Sequence, residues 1–277
     1  PETYHLNRPI LLFVLRPAKL IINKALRIVS SVRKAKLFFV SSKKAALAQC
    51  ISSRLRNRIV KTSVFDFNYY RSKKVRPFSQ IKALDGREHL LDALKGCVVF
   101  IDEGGIEHPD KNEAGNYSGP TGSEYYFETT AALKRIGAIT KSEIVIAAHP
   151  KAIYRYDQFG DLLIFQGATV DLIMASQLVV LHKSTAVDLA IFDRKPLLFL
   201  EPKNSDKAYQ TNIKRLARLF GQKTLTLELL ENIKPEELKG YIASSRDSLR
   251  YRRDYLSEEN VNEASHVTIY NKLFEEE

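Results

Sequence analysis

Short apolar runs alternate with longer amphipathic segments along this 277-residue chain. Runs rich in Val, Ile, Leu and Phe predict buried strands, because parallel strands covered on both faces read as continuous apolar stretches. The predicted strands are Ile10–Leu15, Leu37–Val40, Ile59–Phe65, Cys97–Ile101, Ile144–Ala148, Leu162–Phe165, Leu178–Leu181 and Pro196–Leu200.

Between these runs, apolar residues recur at the spacing of one helical face. In the segment 18–32, for example, Ile21, Ala25 and Ile28 share one face and Lys24 and Arg27 lie on another. The predicted helices are Ala18–Val32, Ala45–Leu55, Gln80–Leu94, Glu124–Ile136, Val170–Ser176, Ser184–Phe192 and Lys207–Leu219, followed by a charged helical tail from Pro235 to Phe274.

Alternating strands and helices predict an α/β fold with parallel sheets. The strands fall into two series, and this predicts two Rossmann-like domains facing each other across a cleft. We place the boundary within Ala138–Glu143. Residues 1–140 would form an N-terminal domain and residues 141–277 a C-terminal domain with additional helices.

Composition narrows the class of protein. With 44% apolar and 27% charged residues, the chain can bury a core, which excludes a disordered or collagen-like protein. Two cysteines, Cys50 and Cys97, are too few for a disulfide framework and are typical of a reducing compartment. We find no apolar stretch long enough to cross a membrane and no cleavable signal peptide.

Positive charge is concentrated in the first third of the chain. Residues 1–80 hold 18 Lys and Arg against 2 Asp and Glu, a net +16, although the whole chain carries only +11. Such a face attracts nucleic acid, anionic lipid or an acidic glycan, or is an ordinary solvated surface. Apart from Tyr69 and Tyr70 beside Arg71, nothing further in the sequence indicates binding of nucleic acid.

The segment 18–32 is either a crossover helix packed on the sheet or a helix that lies on a membrane surface.

Three predicted strands run directly into polar residues, and ligands of open α/β sheets bind at such carboxyl ends. The first of these strands runs into Asp102, Glu103, Gly104 and Gly105. A carboxylate there can point into a crevice, and glycines let a substrate approach the backbone. The alternative interpretation is an ordinary acidic turn. Five of the twelve glycines lie within 104–122, which is typical of a binding loop or lid.

The second motif is His149-Pro150-Lys151, after strand Ile144–Ala148. An imidazole held at a strand end can donate a hydrogen bond to a phosphate. A second His-Pro pair, His108-Pro109, lies in the glycine-rich loop rather than after a strand. We therefore assign no function to that pair.

The third motif is His182-Lys183-Ser184-Thr185, after strand Leu178–Leu181 and at the predicted start of a helix. Its plainest interpretation is a helix N-cap. The same geometry can bind an anion through free N–H groups, the hydroxyls and the lysine charge. A glycine-rich phosphate loop is missing from the sequence, so a phosphate would be held by this helix start.

Other chemistries find little support in the sequence. The six histidines are scattered, and there is no His-x-x-x-His or Asp-x-Asp pair. We therefore predict no metal site and no cofactor. A Gly-x-Ser-x-Gly nucleophile elbow is absent as well.

In this order, Asp102-Glu103-Gly104, His149-Pro150 and Ser184-Thr185 resemble the motifs of the bacterial sialyltransferases of GT-B fold, a group that includes the polysialyltransferases. The resemblance covers roughly residues 97–202 and extends to related capsule and wall-polymer transferases. It departs from the family pattern in having Ser-Thr rather than Ser-Ser. The chain is also short for a two-domain transferase.

This resemblance implies a CMP-activated sugar acid as donor, inversion at the anomeric carbon and no metal. Asp102 would be the general base, in the N-terminal domain, with Glu103 as the fallback. His149 would bind the donor phosphate and assist departure of CMP. Ser184 and Thr185 would bind the same phosphate.

The sequence thus predicts a glycosyltransferase that moves sialic acid, a related nonulosonic acid or Kdo onto a bacterial surface glycan or glycolipid. We expect it in the cytoplasm, peripheral on the inner face of the bacterial cytoplasmic membrane, with its basic third on anionic lipid. The alternatives are a polyol-phosphate polymerase that uses a CDP-alcohol and a non-catalytic module that binds membrane or nucleic acid.

Overall fold

A computed structural model of the chain describes residues 80–104 and 124–256, the short pieces 38–40 and 59–61, and a few isolated residues between 64 and 70, at 120 and between 267 and 270. The predicted strand Ile10–Leu15 and the predicted helices Ala18–Val32 and Ala45–Leu55 lie outside the described residues.

The described elements are strands in the first part of the chain and a mixture of strands and helices from residue 98 onwards. The strands are β1 (Phe38–Val40), β2 (Ile59–Lys61), β3 (Gln80–Lys82), β4 (Glu88–Leu90), β5 (Val98–Ile101), β6 (Ile144–Ala148), β7 (Leu163–Gln166), β8 (Leu178–Leu181), β9 (Leu197–Glu201), β10 (Leu225–Thr226) and β11 (Ile242–Ala243). The α-helices are α1 (Glu124–Thr140), α2 (Thr169–Ala175), α3 (Val187–Phe192), α4 (Lys207–Leu219), α5 (Leu227–Asn232), α6 (Pro235–Leu238) and α7 (Ser245–Tyr251). Short 3-10 turns span Leu91–Leu94 and Lys239–Tyr241, and a π-turn spans Arg252–Leu256.

The central sheet has six parallel strands in the order β7-β6-β5-β8-β9-β10, and β11 pairs antiparallel with β9. Counted along the chain from β5, this order is 3-2-1-4-5-6, the order of a Rossmann fold. Both neighbours of β5 follow it in the chain: β6 and then β7 extend the sheet on one side, and β8, β9 and β10 extend it on the other. The sheet therefore has its topological switch point between β5 and β8.

The sheet is covered on both faces. Alternate residues of β5 enter two different hydrophobic clusters, with Val99 and Ile101 in one and Val98 and Phe100 in the other. All four side chains are buried. This double burial is why the strands read as continuous apolar runs, and the predicted α/β class is confirmed.

The predicted boundary between residues 140 and 141 is wrong for the described part of the chain. Strand β5 pairs along its length with β6, and α1 is the crossover between them. A boundary at 140 would cut this single βαβ unit. Whether residues 1–96 contribute to a second, facing domain stays a prediction.

The predicted helix Gln80–Leu94 is also wrong. Strands β3 and β4 form an antiparallel hairpin there, followed by the 3-10 turn Leu91–Leu94. Asp85 and Gly86 make the turn, with Gly86 at φ +88° and the Asp85 carboxylate accepting hydrogen bonds from Arg87. An Asp-Gly pair is a strong hairpin signal, and here it overrides the helical spacing of the apolar residues. The predicted helical tail likewise contains the short strand β11.

Lys195 connects two elements on the amino side of the sheet. Its Nζ donates to the carbonyls of Met174 and Ser176, at 2.8 and 2.7 Å, and lies 3.3 Å from Asp193. Only 18% of this side chain is exposed. The carbonyls at the end of α2 therefore depend on this ammonium.

We expect Lys195→Met to lower the free energy of unfolding by about 2–4 kcal/mol, because it leaves two carbonyls without their donor and removes the cation beside Asp193. The control is Lys134→Met, which breaks an exposed ion pair with Asp161 and should cost at most about 1 kcal/mol. Urea titration of both variants measures the difference. Equal costs would contradict the structural role of Lys195.

Candidate functional site

A crevice of about 300 Å³ opens where strands β5, β6 and β8 end. It lies beside the switch point of the sheet, where open α/β folds bind ligands. It is lined by Ile101, Asp102, Ala147, Ala148, His149, Pro150, Gly167, Thr169, Ser184, Thr185, Ala186 and Leu189. The structure therefore brings together residues from all three predicted motifs.

Asp102 follows β5 directly and is only 2% exposed. Its Oδ1 accepts from the Tyr125 hydroxyl at 3.0 Å, and its Oδ2 accepts from the Tyr154 hydroxyl at 2.6 Å and from the Gly104 N–H at 3.2 Å. Burial raises the pKa of this carboxyl, and the hydrogen bonds from Tyr154 and Tyr125 oppose that rise. The carboxylate is thus held rigidly and is easier to protonate than an exposed aspartate.

Glu103 points elsewhere and does not line the crevice described above. Its Oε1 accepts from the backbone N–H of Lys183 at 2.5 Å. Burial raises the pKa of Glu103 to about 7, against the lowering effect of that hydrogen bond and of the Lys183 charge. Glu103 therefore ties the end of β5 to the turn after β8.

His149 directly follows β6, and its ring has a defined tautomer. The backbone N–H of Lys151 donates to His149 Nδ1 at 3.2 Å, so Nδ1 is the acceptor. A neutral imidazole then carries its proton on Nε2. Gly167 and Thr169, after β7, complete this side of the crevice.

Tyr154 joins the first two motifs. Its hydroxyl accepts from the backbone N–H of His149 at 3.0 Å and donates to Asp102. A single side chain therefore sets the distance between the carboxylate after β5 and the histidine after β6.

The third motif differs from its prediction. Helix α3 begins at Val187, with Ala186 as its N-cap, and not at Ser184. The Ser184 hydroxyl accepts from the Ala186 N–H at 3.2 Å within the preceding turn. The helix has six residues and Asp188 in its first turn, so the hydroxyls rather than a strong helix dipole face the crevice.

The other predicted binding residues are placed less favourably. The Lys183 ammonium lies 4.6 Å from the centre of the Tyr209 ring, and Lys183 does not line the crevice described here. Lys151 is exposed, and Gly104 is buried with φ +81°. Gly105 lies outside the described residues, as do His108 and Pro109.

The family resemblance implied a general base in a facing domain, and the structure corrects this. Asp102 belongs to the same sheet as His149 and Ser184. It lies on the floor of their crevice because β5 is the central strand.

Three further residues of the site had no predicted role: Tyr125 and His182 are buried, and Tyr154 is half-buried. Tyr125 lies in the first turn of α1, Tyr154 in the loop after β6, and His182 directly after β8. His182 is fully buried, with Nδ1 2.6 Å from the Leu200 carbonyl and Nε2 3.1 Å from the Tyr125 hydroxyl. His182 was predicted to lie at the end of this strand, but its burial and its contact with Tyr125 were not predicted.

Within the part of the chain that the structure describes, no group of three or more His, Cys, Asp or Glu is arranged to hold a metal ion. Of the helices among these residues, none is long and apolar enough to cross a membrane.

Comparison with known proteins gives structural likenesses only. A scan of protein-family models gives no match, and a search of curated proteins gives none. Among solved structures, the S. aureus MnaA–UDP complex shares 18% identity at a TM-score of 0.48, over 88% of this chain and 62% of that one. The wall teichoic acid polymerase TagF, as its H548A variant, shares 9% identity at a TM-score of 0.46, over 90% and 61%.

A third likeness is the glycotransferase of kitacinnamycin, with 15% identity and a TM-score of 0.34 over 58% of this chain and 40% of that one. The chain thus spans less than two thirds of the length of each of these proteins. Likenesses of this size do not establish a common activity.

The raised pKa of Glu103 predicts a pH-dependent stability. Because the pKa in the fold is about 7 and the reference value is 4.5, the folded protein binds this proton more tightly than the unfolded chain does. The contribution of this tighter proton binding to the free energy of unfolding is complete below about pH 4.5 and is lost as the pH rises through about 7. A Glu103→Gln variant keeps an oxygen acceptor for the Lys183 N–H without the ionisation.

We therefore expect Glu103→Gln to gain stability relative to the parent chain as the pH rises, by about 2–3 kcal/mol between pH 5 and 8. Denaturant titrations at several pH values measure this difference. A stability difference between the two proteins that does not change with pH would show that burial does not raise the pKa of the Glu103 carboxyl.

Proposed function

We propose that the crevice binds the nucleotide phosphate of an activated donor, and that the protein is a metal-independent, inverting glycosyltransferase. The observation that supports this most is the convergence of Asp102, His149 and Ser184 on one crevice at the switch point of the sheet. That position suits a nucleotide, and the three side chains suit a group transfer in which a phosphate leaves.

On the donor side, the groups lining the crevice are suited to growing negative charge. Departure of CMP turns a phosphate monoanion into a dianion. The His149 Nε2–H and the hydroxyls of Ser184 and Thr185 are hydrogen-bond donors for those oxygens. Because Tyr154 and Gln166 hold the His149 backbone, the imidazole is pre-organised and loses little freedom on binding.

Asp102 is the proposed general base for the acceptor hydroxyl. Its burial raises its pKa, and a base with a raised pKa is better matched to proton abstraction near neutral pH. The donor would be a CMP-activated sugar acid such as sialic acid, a related nonulosonic acid or Kdo. This choice rests on the order of the three motifs.

The proposed acceptor is a bacterial surface glycan or glycolipid. The +16 charge of residues 1–80 supports attachment to the inner, anionic face of the cytoplasmic membrane, where each nearby Lys or Arg contributes about 1 kcal/mol. These residues lie mainly outside the described part of the chain.

We expect Asp102→Asn to fold normally and to lose transfer activity by about 10²-fold or more, the scale of general-base removal. An asparagine can accept from Tyr154 and donate to the Tyr125 oxygen, so the buried contacts persist while the base is lost. Product formation from CMP-sialic acid and CMP-Kdo measures turnover, and calorimetry measures CMP binding. A variant with full turnover would disprove the assignment of the base.

For the nucleotide, we expect Ser184→Ala and His149→Ala each to weaken CMP binding about 10-fold or more, since a hydrogen bond to a charged group contributes about 1.5–3 kcal/mol. The control is Ser142→Ala, whose hydroxyl donates to Thr140 at the opposite edge of the sheet. Calorimetric titration with CMP measures all three.

The same titration with CDP and UDP separates the alternatives. Preference for CDP, together with turnover of a CDP-alcohol, would favour a polyol-phosphate polymerase. If no nucleotide binds, or if Ser142→Ala weakens binding as much as Ser184→Ala does, the crevice is not the nucleotide site.

A further inference from the structure

Behind the crevice, Asp102, Tyr125 and His182 form a buried line of titratable side chains. The Tyr125 hydroxyl lies 3.0 Å from Asp102 Oδ1 and 3.1 Å from His182 Nε2. His182 Nδ1 lies 2.6 Å from the Leu200 carbonyl oxygen. The three side chains are between 0 and 2% exposed, so water does not screen this line.

With Asp102 ionised and His182 neutral, this line has too few protons to satisfy all of its hydrogen-bond acceptors. The Leu200 carbonyl only accepts, so His182 Nδ1 carries a proton. In a neutral imidazole, Nε2 is then an acceptor that faces the Tyr125 hydroxyl. Asp102 as a carboxylate is also an acceptor facing the same hydroxyl. The Tyr125 hydroxyl has one proton for these two acceptors. Either Asp102 Oδ1 or His182 Nε2 would therefore receive no hydrogen bond from Tyr125.

We propose that Asp102, Tyr125 and His182 share one additional proton, which moves between Asp102 and His182 through the Tyr125 hydroxyl. Tyr125 and His182 are then positioning residues that set when Asp102 can accept a proton. The role in transfer rests on the proposed function, whereas the shared proton does not.

Two arrangements satisfy every contact in the line. In one, the Asp102 carboxylic acid donates to the Tyr125 oxygen and the Tyr125 hydroxyl donates to His182 Nε2. In the other, the acid proton has passed to Tyr125 and the hydroxyl proton has passed to Nε2. This leaves an Asp102 carboxylate, a neutral Tyr125 and a His182 imidazolium. The total charge is zero in both arrangements, so neither puts a net charge into the interior.

The surroundings favour the proton on Asp102 at rest. Burial raises the pKa of Asp102 and lowers the pKa of His182 to about 4. The other titratable groups around the line are Tyr154, which donates to Asp102, and Glu103 and Tyr209, which act on Tyr125. Moving the proton to His182 exposes the carboxylate to the crevice at the moment an acceptor hydroxyl must lose its own proton.

The direct test is nuclear magnetic resonance of the intact wild-type chain, with ¹³C in the aspartates and ¹⁵N in the histidines. We expect the Asp102 Cγ and His182 Nε2 resonances to follow one common titration curve, because strongly coupled groups titrate as a unit. An Asp102 resonance that titrates while His182 Nε2 stays constant would overturn the proposal. This measurement needs no variant and no activity.

Tyr125→Phe removes the bridging hydroxyl and keeps the ring. We expect the two resonances to become independent, with His182 remaining neutral at pH values above its lowered pKa of about 4. The matched control is Tyr126→Phe, which removes the hydroxyl of the next residue on α1 and should leave the coupled curve unchanged. Loss of coupling in the control, or coupling that survives in Tyr125→Phe, would contradict a path through Tyr125.

Transfer assays separate this inference from the proposed function. If CMP-sugar transfer is detected, Tyr125→Phe should shift the pH dependence of turnover while CMP binding stays unchanged. A coupled titration curve without any detectable transfer would contradict the proposed function and would still support the shared proton. Transfer with an unshifted pH profile in Tyr125→Phe would overturn the role of this line as a proton path.

Discussion

The structure of the site depends on burying the Asp102 carboxylate at the end of the central strand. A buried carboxyl group without hydrogen-bond partners is costly, and Asp102 takes its partners from three different segments. Tyr125 comes from α1, Tyr154 from the loop after β6 and the Gly104 N–H from the following turn. These bonds fix the elements around the crevice relative to β5.

The order of strands in the sheet determines which residues line the crevice. Because β5 lies between β6 and β8, the residues after these three strands meet at one edge although they are separated by tens of positions in the chain. Glu103 adds a second connection through the Lys183 backbone. Asp102, Tyr125 and Tyr154 form the rigid part of the site. His149 and the hydroxyls of Ser184 and Thr185 form the part that faces a ligand.

The parallel strands were predictable because burial on both faces leaves a continuous apolar run, as in Ile144–Ala148 and Leu178–Leu181. Their polar ends could therefore be assigned to one edge. The sheet order was not predictable, so β5 was assigned to the wrong side of a domain boundary. The hairpin at Asp85-Gly86 was missed because helical spacing was preferred to a strong turn signal.

The contacts of Tyr125, Tyr154 and His182 could not be predicted for a different reason. Tyr125, Tyr154 and His182 act through contacts that span 23, 52 and 57 positions. A tyrosine at the start of a helix or in a loop carries no local pattern that distinguishes it from a packing residue. Only the assembled sheet brings these hydroxyls to the carboxylate and the imidazole.

The measurement that tests the central claim most directly is an amide chemical-shift map of the chain titrated with CMP. The account predicts that the largest shifts fall on the crevice backbone, at Gly167, Thr169 and Ala186, together with His149. Shifts that are absent, or that concentrate between α1 and α5 on the face around Phe127 and Leu230, would contradict a nucleotide site at the switch point of the sheet.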